Sequence, residues 1–287
     1  MVYVYLQGGL GNQMFQYAFG RQLQQLRNDR LVIDDQHFAK AHALGETPRT
    51  LELSEWNTSF ELADEPARRY VRKTLYPPVV HRVWQKITGL RPYSIYNDET
   101  PLDLAHVSRA SLLYLQGYFQ REDYFASIRQ ELLSEFTLRY TPQRRLTAGD
   151  HSVSVHVRRG DYVHLPQAAA HHGACSEAYY LRAMQYMREQ LGTPRFYFFS
   201  DDIAWCKETF TDADIEFVVS PPDAPSSEDM YLMSRCAHHI IANSSYSWWG
   251  AWLNPSAQKI VIAPARWTNA QTTERNHYVP KNWIQLS

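Results

Sequence analysis

Short apolar runs alternate along this chain with stretches whose apolar residues recur every three to four positions. Val2 to Leu6 is a brief apolar run that predicts a buried strand. Gly8, Gly9 and Gly11 follow it. Phe15, Ala18, Phe19, Leu23 and Leu26 then fall near one stripe of a helix predicted over about 12–27. Leu31 to Asp35 completes a βαβ unit. Residues 36–110 carry many charges and prolines and few clean periods, so helices and loops are expected there. Leu112 to Tyr118 predicts a strand. Residues 121–136 predict an amphipathic helix with Tyr124, Phe125, Ile128, Leu132 and Phe136 inward.

The polar stretch 140–151, with Pro142, Gly149 and Asp150, is the best linker candidate. Beyond it the rhythm is regular. Strands are predicted at 153–158, 196–200, 215–220, 239–243 and 259–263. Helices are predicted at about 177–191, 203–210 and 228–238, and from near Tyr246. Ser226 and Asp229 stand at capping-box spacing before the third of these helices. Strands alternating with helices argue for an α/β fold with a mostly parallel sheet covered on both faces. The strands end in Arg159-Gly160-Asp161, Ser200-Asp201-Asp202, Ser220-Pro221-Pro222-Asp223 and Asn243-Ser244-Ser245. Ligands of open α/β sheets bind outside the carboxyl ends of strands, so these segments should converge on one crevice. Two such halves, 1–150 and 151–287, suggest two Rossmann-like domains facing a cleft.

Composition narrows the partners. The 287 residues are 44% hydrophobic and 21% charged, a profile of globular proteins. Lys plus Arg is 29 and Asp plus Glu is 30, so no basic excess points to nucleic acid or an anionic membrane. Attraction for a phosphate must be local. Three widely spaced cysteines, Cys175, Cys206 and Cys236, make no disulfide framework. The chain opens with no signal-peptide pattern and has no transmembrane run, so a cytoplasmic setting is expected, at most peripheral to the inner membrane.

The chemistry concentrates at Ser152 to Tyr162. Val153, Val155 and Val157 share one face of the strand, and His156 the other. Two guanidiniums at the end of a core strand are costly unless an anion meets them, and a diphosphate matches their forked donors. The plainer reading pairs one with Asp161 and leaves the second arginine unexplained. Gly8-Gly9-Leu10-Gly11-Asn12-Gln13 joins a strand to a helix; by spacing alone it is a tight turn rather than a phosphate loop. Asn243, Ser244, Ser245 and Ser247 offer hydroxyls and N–H groups for a phosphate, where one serine would suffice as a cap. Trp248 and Trp252 are expected in the core, with Trp249 a weaker candidate for stacking. Asp201 and Asp202 could accept a guanine edge or cap the next helix. Asp212-Ala213-Asp214 matches a metal-binding string but precedes a strand. The pairs His171-His172 and His238-His239 lack metal spacing. No metal is expected.

His156-Val157-Arg158-Arg159-Gly160-Asp161-Tyr162 resembles the His-x-Arg-Arg-x-Asp-Tyr motif of the α-1,2-fucosyltransferases, glycosyltransferase family 11. Gly8 to Tyr17 is similar to that family's N-terminal loop, and Ile240 to Asn254 to its C-terminal signature. The resemblance implies the GT-B fold, with an acceptor-side and a donor-side domain. It implies GDP-β-L-fucose as co-substrate and the 2-hydroxyl of a terminal β-galactoside as acceptor, on an oligosaccharide or lipid-linked glycan such as a bacterial O-antigen. The product would be α-linked, with inversion. Arg158 or Arg159 would meet the diphosphate, helped by Ser244, Ser245 and Ser247. Asp161 would act as base or orient an arginine. Asn12 and Gln13 would reach sugar or phosphate, and His156, Asp201, Asp202 and Asn243 complete the expected donor site. A fucosyltransferase of other regiochemistry, such as α-1,6, and a non-catalytic GDP-sugar or glycan-binding protein remain open alternatives.

Overall fold

Two parallel sheets carry the chain, one in the unit Met1–Glu135 and one in the unit Phe136–Ser287. The structure is a computed structural model that describes residues 1–41, 48–79, 92–99, 110–160, 173–269 and 278–287, with single positions at 81, 88, 107 and 163.

In the first unit the described order is β1 (Val2–Tyr5), α1 (Leu10–Arg27), β2 (Leu31–Asp34), α2 (Gln36–Ala41), β3 (Glu61–Leu62), α3 (Glu65–Leu75), β4 (Tyr93–Tyr96), β5 (Leu112–Leu115) and α4 (Arg129–Glu135). The sheet runs β3-β2-β1-β5-β4, with every neighbour parallel. Helix α1 buries Met14, Phe15, Ala18, Phe19 and Leu23. Leu26, placed on that stripe by spacing, is 55% exposed. Gly20 lets α1 lie tight on the sheet: a Cβ there would come within 2.8 Å of Val4 and 2.9 Å of Leu31. The helix predicted over 121–136 is broken into turns at Glu122–Tyr124 and Ala126–Ile128 before α4 begins. Four of the five residues expected inward, Phe125, Ile128, Leu132 and Phe136, are buried, and Tyr124 is half-buried. The break comes at Phe125, whose backbone (φ −144°, ψ 10°) leaves the helical region while its ring packs 5.9 Å from Phe15.

The second unit comprises β6 (Ser152–Val157), α5 (Glu177–Leu191), β7 (Arg195–Ser200), α6 (Ile203–Thr209), β8 (Ile215–Phe217), α7 (Ser226–Arg235), β9 (His238–Ile240), α8 (Ser245–Trp252), β10 (Val261–Pro264) and β11 (Ile284–Leu286). Its sheet runs β8-β7-β6-β9-β10-β11, again all parallel. This is the order of a doubly wound nucleotide-binding sheet. Val153, Val155 and Val157 pack with Tyr180, Ala183 and Met184 of α5, all at most 1% exposed. Full burial of each such side chain is worth roughly 1.5–3 kcal/mol.

The division falls ahead of the 140–151 stretch expected to link the halves. That stretch is bonded into the second unit. Tyr140 shares a hydrogen bond with Ser227 at 2.7 Å, the Arg144 guanidinium donates to Glu228 and Ser220, and Thr147 accepts from Tyr197. The capping box at Ser226 and Asp229 does not form. The N-cap is Pro225, and Asp229 accepts from Ser220 (2.6 Å) and pairs with Arg144 (2.6 Å).

Candidate functional site

Strand order in the second sheet proceeds from β6 through β7 to β8 on one side and through β9 to β11 on the other, which puts the topological switch point between the carboxyl ends of β6 and β9. Strand β6 brings His156 and then Arg158 to this point. Strand β9 leads through Asn243 and Ser244 into α8.

His156 is 6% exposed and lies 5.5 Å from the Tyr246 ring; its Nδ1 has no hydrogen-bond partner among the described residues. Burial pushes its pKa down to about 4, with Asp201 acting the other way and Arg158 adding to the depression. The imidazole is therefore neutral at neutral pH and presents one donor and one acceptor rather than a charge.

The two arginines are not the uncompensated pair that their position suggested. Arg158 Nη1 lies 2.6 Å from Asp201 Oδ2, and Arg159 Nε donates to Asp202 at 3.0 Å. Asp201 also accepts from the Arg159 backbone N–H at 2.9 Å. Gly160 makes room for this, since a Cβ there would sit 2.6 Å from Asp201 Oδ2. Asp202 caps α6 by accepting from Trp205 N–H. The Arg159 guanidinium stacks 3.9 Å from the Trp205 ring. The Arg159 side chain is thus held on two sides, by Trp205 of α6 and by the Asp202 cap. Arg158, about a quarter exposed, has Asp201 as its carboxylate. Both aspartates anchor arginines: Asp201 through both oxygens, and Asp202 through one while the other caps α6. Asp161, expected as base or orienter, lies outside the described residues, as do His171 and His172.

Across the switch point the polar residues divide by role. Asn243 Nδ2 donates to the carbonyls of Gly173 and Trp267 at 3.0 and 3.1 Å, which makes it a brace between loops. Ser247 is fully buried and donates to Ser244 O. The hydroxyls of Ser244 and Ser245, at the start of α8, make no hydrogen bond among the described residues. Trp248, Trp249 and Trp252 are at most 1% exposed. Trp249 packs on Phe136 at 5.1 Å and cannot stack on a ligand. A cavity of about 440 Å³ adjoins this edge, lined by Gly173, Ser176, Asn243, Arg266 and Asn269 among others.

In the first sheet the order reverses between β1 and β5. Gly8 takes φ +79° after β1, and α1 starts from Gly9 without a side-chain cap. Gln13, expected at the ligand, is fully buried. Its amide donates to the carbonyls of Gly8 and Thr50 and accepts from Glu52 and Leu53 N–H, so it braces the loop. Gln16 does the same for Gln7. Asn12 is half-buried and accepts from Gln120 Nε2 at 2.7 Å. No sequence signal marked Gln120, which lies 108 residues away and comes into reach only because β5 pairs with β1.

The remaining described candidates bond within the second unit. Asp212 and Asp214 both bind Arg188, at 2.7 and 2.9 Å, before β8 and so at the amino edge of the sheet. His238 accepts from Ile260 N–H. His239 lies between Ser154 and Asn254, and burial holds it well below its usual pKa. The cysteines are free, and burial raises the Cys175 and Cys206 thiols to about 11. Among the described residues no helix is long and apolar enough to cross a membrane.

Sequence comparison gives this architecture a family. The pattern of Glycosyl transferase family 11 matches residues 90–287. The Escherichia coli O-antigen biosynthesis glycosyltransferase WbnK is 32% identical over 99% of this chain and 100% of its own. An Escherichia coli alpha-1,2-colitosyltransferase is 34% identical over 98% of this chain and 97% of its own. Human galactoside alpha-(1,2)-fucosyltransferase 1 is 29% identical over 87% of this chain and 64% of its own. Among solved structures, a mutant of Arabidopsis thaliana FUT1 in complex with GDP gives a TM-score of 0.53 at 10% identity, covering 91% of this chain and 69% of that one. That likeness concerns the fold and agrees with the GT-B class of two parallel α/β units. The motifs at both carboxyl edges and the family pattern over two thirds of the sequence lead to one statement: the chain belongs to glycosyl transferase family 11.

Proposed function

We propose that the protein moves L-fucose from GDP-β-L-fucose to the 2-hydroxyl of a terminal β-galactoside, forming an α-1,2 linkage with inversion. The observation that carries this reading is the switch point itself. Arg158 stands at the end of β6, while Ser244, Ser245 and the N-terminus of α8 stand at the end of β9. A leaving GDP gains negative charge in the transition state, and preorganised donors of this kind stabilise it. Arg158 supplies the charge, in exchange with or beside its contact to Asp201. The hydroxyls of Ser244 and Ser245 and the first N–H groups of α8 supply neutral donors. Neutral His156 adds a hydrogen bond without a competing charge. In this reading Asp161 takes the acceptor proton, and no metal takes part. The second unit holds the donor and the first the acceptor, in the cytoplasm, on a glycan or lipid-linked glycan. Relatives named as α-1,2-transferases support the linkage.

A second reading keeps the linkage and changes the donor sugar. The 34% identity with the alpha-1,2-colitosyltransferase favours it. One experiment separates these readings: purified protein, GDP-fucose or GDP-colitose, a panel of β-galactosides, with and without EDTA, and NMR of the product. An α-1,2-fucosyl product formed in EDTA is the expected result. Transfer of colitose alone selects the second donor. An α-1,6 product rejects the linkage. GDP binding without transfer to any acceptor makes the chain a binding protein.

A further inference from the structure

The carboxyl edge of the first sheet holds a polar pair, one residue from the start of α1 and one from the segment after β5. Gln120 Nε2 donates to Asn12 Oδ1 at 2.7 Å. Asn12 Nδ2 lies over Gly8, where a Cβ would come within 2.7 Å of it. Gln120 follows Phe119, which has φ +52°, the left-handed region that bulky side chains avoid. The conformation is over-determined. Asp98 accepts from the N–H groups of Tyr118 (2.9 Å) and Phe119 (2.6 Å), and Gly117 admits that carboxylate, since a Cβ there would be 3.0 Å from Asp98 Oδ2. The Phe119 ring is 2% exposed and packs 4.8 Å from Phe19. Backbone strain held this firmly collects at binding sites.

The neighbouring amides show the difference between a brace and a site. Gln13 and Gln16 are fully buried and use both ends of their amides on the backbone. Asn12 and Gln120 are half-buried. Their mutual bond leaves Asn12 Nδ2 and Gln120 Oε1 with no hydrogen bond among the described residues. One donor and one acceptor thus remain side by side, at the point where strand order reverses. A sugar hydroxyl donates and accepts at once, and such a pair is its complement.

We propose that Asn12 and Gln120 form a hydroxyl-reading pair for a pyranose, with Asn12 Nδ2 donating to a sugar oxygen and Gln120 Oε1 accepting that sugar's O–H. The inference rests on the transfer reaction proposed above, in which the pyranose belongs either to the donor or to the acceptor.

The test uses the full chain with Asn12→Ala, Gln120→Ala, the double variant and Gln120→Glu, assayed with the substrates the wild type accepts. Each alanine variant is expected to lower kcat/KM by about tenfold or more. The double variant should lose no more than the worse single one, because the pair acts as a unit. GDP affinity by calorimetry should stay within about twofold, since the pair reads sugar and not nucleotide. Gln120→Glu, nearly isosteric, cannot donate to Asn12 Oδ1; the Asn12 amide turns round, and activity falls at least as far as with alanine. A raised KM for the galactoside assigns the pair to the acceptor, and a raised KM for the GDP-sugar with unchanged GDP affinity assigns it to the donor. Losses that multiply in the double variant, GDP affinity that falls in step with kcat/KM, or a fully active Gln120→Glu would overturn the inference. A wild type that transfers no sugar removes the functional reading and this one together. An active wild type with unaffected variants removes only this one.

Discussion

Arg158 and Arg159 are neighbours in sequence and differ in what holds them, so alanine should separate their roles. Arg159 stacks on Trp205 and pairs with the carboxylate that caps α6. Arg159→Ala is expected to lower stability by roughly 1–2 kcal/mol. Arg158→Ala should leave the melting temperature almost unchanged and lower kcat/KM by about 10²–10³-fold. Thermal unfolding and steady-state rates on both variants decide this; the reverse split would exchange the two roles. A second prediction concerns pH. Native His156 titrates near 4 and an unperturbed histidine at 6.5. Between those values the unfolded chain binds more protons. His156 therefore contributes stability above pH 6.5 that is lost as pH falls through 4, with a slope of up to about 1.4 kcal/mol per pH unit. Buried His239 acts in the same direction. Urea midpoints measured over this window should fall with pH, and His156→Gln should flatten the curve; equal slopes in both proteins would refute a buried neutral imidazole. Alternation along β6 made the valine face and His156 legible in advance. The arginine partners were not legible, because Arg159 and Asp202 are 43 residues apart and meet only through the register of β6 on β7.

Elements with a strong period and clear ends were readable, and those set by contacts were not. Helix α5 has a Ser176 cap and a Gly192 stop and falls at the predicted 177–191. Strands β3, β4 and β11 went unseen for physical reasons. β3 is two exposed residues, β4 follows Pro92 in a stretch without period, and β11 is a three-residue edge strand. None carries the alternation or buried run by which a strand is recognised. The close packing of α1 on β1 and β2 is equally invisible in sequence and gives a sharp test. Gly20→Ala would gain about 1 kcal/mol of helix propensity on an isolated helix. Here the new methyl meets Val4 at 2.8 Å and Leu31 at 2.9 Å. Overpacking of this kind costs roughly 1–3 kcal/mol, so the variant should be less stable than the parent by about 1 kcal/mol. A melting temperature above that of the wild type would show that the helix can move off the sheet, and that the contact is not limiting.

At the scale of the molecule, the parallel sheets impose a polarity that sequence patterns only partly reveal. Net charge is −1, so no global field gathers an anionic substrate, and any charge that matters must sit at one edge. The carboxyl edge of the second sheet has Arg158, Arg159 and the start of α8. Asp212-Ala213-Asp214 sits before β8, at the amino edge, with both carboxylates on Arg188. If polarity decides function, the string that looks most like a metal site should be a surface clamp, and the arginine edge should carry the diphosphate alone. The double change Asp212→Asn and Asp214→Asn is then expected to leave kcat/KM within about twofold. Stability should fall by no more than about 1 kcal/mol, the usual worth of exposed ion pairs. Arg158→Ala in the same assay should abolish most turnover, with or without added Mg²⁺. A loss of a hundredfold or more in the aspartate variant, with its melting temperature intact and Mg²⁺ restoring turnover, would place the reacting charge at the wrong edge. It would then be a cation held by Asp212 and Asp214, and not Arg158, that balances the leaving group.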